Sequence, residues 1–219
     1  LVLASEDISD QVPTWLHSSP SGGVFLNSME NIREHPDELF DVHGPWEHQG
    51  LNSHYKLYNA GRCRLHSEFG VEGMTNYKAL RKTTLPEHFL PASKDNPVYF
   101  HRGAWWNNEP LVQESFGGGL EDVEQIRKAS QYLQYEGLKY AMEADRRRAY
   151  FCSGIFPWQL NEPFPNLFCT SVVDYYGSPK PAYYGAKKAY ASWLVSAAFE
   201  GAALKDGKLT AEIYAARER

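Results

Sequence analysis

The 219-residue sequence has no apolar run approaching the roughly 20 residues that a membrane-crossing helix requires, so no membrane partner is expected. It also lacks basic excess: 22 Lys and Arg stand against 27 Asp and Glu, for a net charge of −5. That balance argues against nucleic acid as a partner, and Asp-Arg-Arg-Arg at 145–148 reads as a solvated helix end. Cysteine is scarce. Cys63, Cys152 and Cys169 are spaced for no metal site, and an odd count leaves one unpaired. Cys63 and Cys152 fall in apolar, strand-like runs, which suits small, reduced, buried thiols. His43 and His48 flank Gly-Pro-Trp-Glu, but no third ligand follows at a useful spacing. Neither a metal nor another cofactor is expected. The first residue is Leu1 and no signal-peptide pattern precedes the fold, so a chain excised from something longer is expected and the compartment stays open.

What the sequence has in surplus is aromatic residues: 6 Trp, 14 Tyr and 11 Phe. Many serve a core, but Trp and Tyr also suit sugars, whose C–H faces stack on rings while their hydroxyls take polar neighbours.

Short apolar strands alternate with longer polar segments. Residues 12–20 read as a strand ending at Ser-Ser-Pro, 38–46 as a second ending at Gly-Pro, 63–70 as a third, and 149–163 contain a fourth. Separations of 20 or more residues require crossovers, which favours a parallel sheet with helices outside. The clearest helix is 120–147, with acids in its first turn and arginines in its last, although Gly137 interrupts its pattern. A second helix is predicted over 181–194, with Pro181 near its first position. Residues 195–201 and 208–216 read as two strands joined by the turn Lys-Asp-Gly. Within 63–70, period two places Arg64, His66 and Glu68 on one face and Cys63 and Leu65 on the other. A carboxylate at a strand's C-terminal end is where an α/β barrel keeps its chemistry.

Five segments carry a resemblance. "RLHSEFGVEG" is followed about 85 residues later by "SGIFPWQLNEPFPN" and then "SVVDYYGSPKPAYYGAKKAY", while "SSPSGG" and "DVHGPW" lie upstream. Together they resemble the catalytic barrel of glycoside hydrolase family 2, in its β-mannosidase-like branch. The resemblance implies an α/β fold: strands five to eight of a (β/α)8 barrel over residues 1–193, then the first strands of a β-sandwich over 194–219. It implies a carbohydrate substrate, the remaining domains of a parent enzyme as partners, and Glu68 as nucleophile. A retaining glycosidase of this kind needs a second carboxyl about 5–5.5 Å from the nucleophile to act as acid and then base. The family places that acid in an Asn-Glu pair well before the nucleophile. Both Asn-Glu pairs here, ending at Glu109 and Glu162, follow Glu68 and are in the wrong order, so the acid is expected upstream of Leu1.

The resemblance also implies substrate-binding roles for Trp158, His43, Trp46 and Asn161. Trp46 stands three residues after His43 where the family more often has two, and His66 replaces a usual apolar residue, implying a more polar barrel interior near Glu68. The loop at 101–110 resembles the one after strand seven. Two other readings stand beside the hydrolase: a carbohydrate-binding module, expected as a β-sandwich, and an assembly piece with open sheet edges.

Overall fold

The computed structural model describes residues 15–101, 104–202 and 207–217. Its first half holds α1 (Met29–Glu34), β1 (Asp41–His43), α2 (Ser53–Ala60), β2 (Leu65–Phe69), β3 (Gly73–Met74), α3 (Tyr77–Thr83) and α4 (Pro97–His101). The second half holds α5 (Glu109–Phe116), α6 (Val123–Arg147), β4 (Ile155–Pro157), β5 (Phe168–Cys169), α7 (Pro181–Ala189), β6 (Trp193–Ala198) and β7 (Glu212–Arg217). Strands β1, β2 and β4 form a parallel sheet with β2 in the centre, as the long crossovers require. β3 pairs antiparallel with β5, and β6 with β7. Among the described residues no helix is long and apolar enough to cross a membrane.

The expected strand at 12–20 does not form over its described part: residues 15–20 run through bends, and 12–14 lie outside the described residues. The chain there instead bends back against β1, with the backbone N–H of Ser21 donating to Asp41 Oδ2 across 2.8 Å. The helix predicted to 194 stops at Ala189, and Trp193 and Leu194 already pair with Arg217 and Ala216. β-branched and aromatic residues around 193–195 suit a pleated ladder better than a helix end. The Lys-Asp part of the predicted turn lies outside the described residues.

α6 is one unbroken helix of 25 residues despite Gly137. Asp122 caps it by accepting from the Gln125 N–H, and Arg146 and Arg147 close its last turn. Gly137 is there for space. A Cβ at that position would lie 2.6 Å from Cδ2 of His48 and 3.2 Å from Nε2 of His54. Those two buried rings stack at 4.2 Å beneath the helix.

Two apolar clusters meet along α6. One packs Val42, Cys63, Phe69 and Ile155 of the parallel sheet region against Leu57, Leu138, Ala141, Met142 and Ala186 of the helices. The other joins Met74 and Phe168 of the small sheet to Leu80, Val112, Ile126 and Leu133.

The central strand departs from simple alternation. Its partners on β1 run Asp41 to Leu65, Val42 to His66 and then His43 to Glu68, so Ser67 is an extra residue. On the other side His66 faces Ile155 and Phe69 faces Pro157, again with one residue in excess. This bulge lets His66 and Phe69, three positions apart, both enter the helix-side core, while Ser67 and Glu68 both turn to the open face. Burying a Phe contributes about 1.5–3 kcal/mol against about 1 kcal/mol for a ladder hydrogen bond, so the bulge is the favoured arrangement. It overturns the expectation that His66 shares Glu68's face. His66 Nδ1 pairs with Asp145 Oδ2 of α6 at 3.0 Å, and Nε2 donates to the Gly44 carbonyl. Arg64 likewise stands apart, its guanidinium over the rings of Phe40 and Phe151.

Candidate active site

Glu68, the penultimate residue of β2, lies on the open face of the sheet, its side chain 24 % exposed. The ladder continues past it through the backbone: Gly44 N–H donates to the Glu68 carbonyl, and Gly70 N–H to that of Pro45. Trp46, on the loop after β1, swings its indole back so that Nε1–H donates to Glu68 Oε1 across 2.9 Å. His43, the last residue of β1, is almost fully buried and presents Nδ1 3.8 Å from Glu68 Oε2. The other ring nitrogen, Nε2, lies 2.9 Å from the hydroxyl of Ser19, which is also 3.2 Å from that of Ser67. One carboxylate thus stands partly open to solvent with an N–H donor on one oxygen and an imidazole beside the other. A carboxylate held in a fixed orientation in this way has the chemistry of a nucleophile or a base.

Trp158 follows β4. Its N–H donates to the Phe69 carbonyl across 2.6 Å, which brings its backbone to the end of the Glu68 strand. A Cβ on Gly70 would lie 2.6 Å from the Trp158 carbonyl oxygen, so this close approach requires glycine. Trp158 is 41 % exposed, and the Trp158–Gln159 peptide is cis. Asn161 is exposed, its backbone bridging Val173, and the contacts that join Glu68, His43 and Trp46 do not include it.

The two Asn-Glu carboxylates serve other ends. Glu162 is buried and accepts from Asn166 N–H at 3.1 Å and Ser171 Oγ at 2.7 Å. Glu109 opens α5, where a negative charge suits the helix N-terminus.

His43 and His48 part company: His43 goes to Glu68, whereas His48 stacks on His54 with Nε2 3.8 Å from Glu136 Oε2. Among the described residues, one set of groups has metal-ligand proximity, Cys63, His66 and Asp145, whose ligand atoms lie within 4.8 Å. A cation is already present there. The Arg148 guanidinium pairs with Asp145 and lies 3.8 Å from Cys63 Sγ, which opposes a metal ion's charge. All three cysteines are free and buried.

Four residues beyond Glu68, Glu72 is a carboxyl of a different kind. It is buried, accepts the His48 N–H at 2.7 Å, and burial pushes its pKa up to about 8. His54 moves the other way. Burial and the neighbouring His48 lower it well below the usual histidine value, and its neutral form is pinned by Gln49 N–H donating to Nδ1 and Nε2–H donating to the Gly137 carbonyl.

Ser19 and Ser67 were not marked as site residues by the sequence. Ser19 lies in the "SSPSGG" segment, but the hydroxyl is brought to His43 only by the loop folding back on β1. Ser67 reaches the same face only through the bulge.

No protein-family model matches the chain. It is 26% identical over 151 residues to a β-mannosidase B of Aspergillus niger, covering 64% of this chain and 17% of that protein. A β-mannosidase B of Thermothelomyces thermophilus is 26% identical over 197 residues, covering 82% and 22%. Among solved structures, a β-D-mannosidase of Dictyoglomus thermophilum superposes with a TM-score of 0.59 at 26% identity, over 72% of this chain and 19% of that one. An exo-chitosanase of Amycolatopsis orientalis shares the fold, with a TM-score of 0.54 at 21% identity over 70% and 20%. The chain spans about a fifth of the length of these relatives. By these likenesses the chain is related to the β-mannosidase-like glycoside hydrolases of family 2.

Proposed function

We propose that this chain is the C-terminal half of the catalytic barrel of a retaining exo-β-glycosidase that acts on terminal β-mannosides, with Glu68 as the nucleophile. On this reading β1, β2 and β4 are barrel strands, the segment from residue 194 begins a β-sandwich, and the acid/base comes from outside the chain. The observation that carries the proposal is the setting of Glu68: the C-terminal end of the central parallel strand, partly open to solvent, with Trp46 Nε1–H on Oε1 at 2.9 Å. A nucleophile must be aimed before the sugar arrives, and an N–H donor on one oxygen holds it in place. Attack by the second oxygen on the anomeric carbon forms a glycosyl ester as the leaving group departs with the acid's proton. Water then cleaves the ester, its proton going to the same residue acting as base. Trp158, His43, Trp46 and Asn161 are proposed to bind the sugar, the half-exposed Trp158 indole under its C–H face.

The reading as a carbohydrate-binding module expected a β-sandwich. A 25-residue helix packed on a parallel sheet counts against it.

The test is a 2-deoxy-2-fluoro β-mannosyl reagent with a good leaving group, applied to the longer protein that this reading requires. Fluorine slows both steps and the activated leaving group restores only the first, so the ester accumulates. Peptide mapping should find it on Glu68, and Glu68→Gln should lose label and turnover together. A label on another carboxylate would refute the assignment of the nucleophile. Labelling by a glucosyl or galactosyl reagent alone would keep Glu68 and refute the mannoside.

A further inference from the structure

The hydroxyl of Ser19 lies 2.9 Å from His43 Nε2, and His43 Nδ1 lies 3.8 Å from Glu68 Oε2. A neutral imidazole carries one proton, so one of these nitrogens donates and the other accepts. A proton on Nε2 would leave Nδ1 with a bare lone pair 3.8 Å from a carboxylate oxygen, an unfavourable meeting of two acceptors. A proton on Nδ1 removes that conflict. Ser19 then donates to Nε2, and its oxygen is left to accept from Ser67 at 3.2 Å.

The ring is closely packed in the orientation that poses this choice. It is 6 % exposed and packed edge-on between Phe25, at 5.3 Å between centroids, and Trp46, at 6.4 Å. The turn that carries Ser19 is tied down on both sides of it. Ser18 Oγ donates to the Pro20 carbonyl and Ser21 Oγ to that of Ser18, while Ser21 N–H ties the turn to Asp41 of β1.

We propose that Ser19 is a positioning residue for Glu68 acting through His43: its hydroxyl holds the imidazole as the Nδ1–H tautomer, with that N–H turned toward Oε2. This rests on the reading of Glu68 as nucleophile. The two oxygens are then treated unequally. Oε1 is fixed by a short bond from Trp46, whereas Oε2 feels an N–H at 3.8 Å, near enough to steady its charge and too far to tie it. Oε2 is therefore the attacking oxygen, and the line of hydroxyls from Ser67 through Ser19 keeps a competing base from facing it.

The tautomer can be read directly by nitrogen-15 NMR of the imidazole in the 219-residue chain, with no need for turnover. His43 should be protonated on Nδ1 in the wild type. Ser19→Ala should shift it toward the Nε2–H form, and Ser19→Thr, which keeps the hydroxyl, should restore the wild-type pattern. Ser19 is exposed, so alanine leaves the core intact, and unchanged amide signals elsewhere serve as the folding control. In the longer protein, Ser19→Ala should slow fluorosugar labelling of Glu68 about tenfold, and Ser19→Thr should recover most of that. Wild-type His43 protonated on Nε2, or a tautomer indifferent to Ser19→Ala, would overturn the role of Ser19 while leaving the nucleophile untouched. The expected tautomers together with a label on another carboxylate would instead overturn the nucleophile and, with it, the purpose assigned to Ser19.

Discussion

Trp46 and Glu68, 22 residues apart, are joined by one hydrogen bond from indole Nε1–H to carboxylate Oε1, 2.9 Å long. It links the loop after β1 to the end of β2, across the parallel pair that those strands form. A hydrogen bond to a charged group contributes about 1.5–3 kcal/mol. If it orients the nucleophile, Trp46→Phe, which keeps the ring and removes the donor, should slow labelling of Glu68 by about 10–100-fold. The measurement is the pseudo-first-order rate of ester formation. A rate within twofold of wild type would show that the bond does not orient the attacking group.

The isolated chain should hydrolyse no aryl β-mannoside at a useful rate. General acid assistance contributes about 10²–10⁴-fold, and the carboxyls that could supply it are otherwise engaged. Glu162 is buried on Asn166 and Ser171, and Glu109 opens α5. A chromogenic assay on the pure chain is decisive. Vigorous turnover, lost on Glu162→Gln or Glu109→Gln, would place the acid inside the chain.

Gly137→Ala tests the helix–histidine contact. Alanine in a helix interior is favoured over glycine by about 1 kcal/mol, but here its Cβ would lie 2.6 Å from the His48 ring. Overpacking typically costs about 1–3 kcal/mol, so the contact should win and the melting temperature fall by a few degrees. His48→Ala should relieve the clash and make the same substitution harmless or stabilising. A single variant that melts higher than wild type would mean that the stack yields readily.

Stability should also depend on pH through two buried groups of opposite sign. Glu72 has a native pKa of about 8 against a reference of 4.5, so the native state holds its proton more tightly. Its contribution is fully present below pH 4.5 and is lost as pH rises through 8. His54 is depressed below 6.5, so its contribution is present above 6.5 and lost as pH falls. From pH 6.5 to 8 the Glu72 slope acts without that opposition, at about 1.4 kcal/mol per unit. Glu72→Gln keeps an oxygen for the His48 N–H and removes the titration, so urea denaturation should show that slope flattened. An unchanged slope in the variant would assign the pH dependence to other groups.

Much of this protein is written locally. The helix of α6 follows from a capping aspartate, spaced apolar residues and terminal arginines, all within one segment, and these outweigh a single glycine. Likewise the alternation ahead of Phe69-Gly70 is sufficient to predict a strand and to set an acid at its end, and the spacing between strands is sufficient to predict that they run parallel. The matched segments, read in order, point to the same β-mannosidase-like relationship as the likenesses to known proteins. What the sequence could not carry is the partner of each side chain. Period two put His66 beside Glu68, but the bulge at Ser67 exists because Phe69 and His66 both gain from the helix-side core, and that core is built in part by residues of α6 some 70–80 positions away. The gap at Gly137 likewise has meaning only once His54, 83 residues earlier, bonds to its carbonyl. Ser19 reaches Ser67 across 48 positions, through a turn whose anchor is Asp41. Local propensity and alternation act over a few bonds and are legible in order along the chain, whereas packing and hydrogen-bond satisfaction select among contacts that exist only when the strands and helices have met.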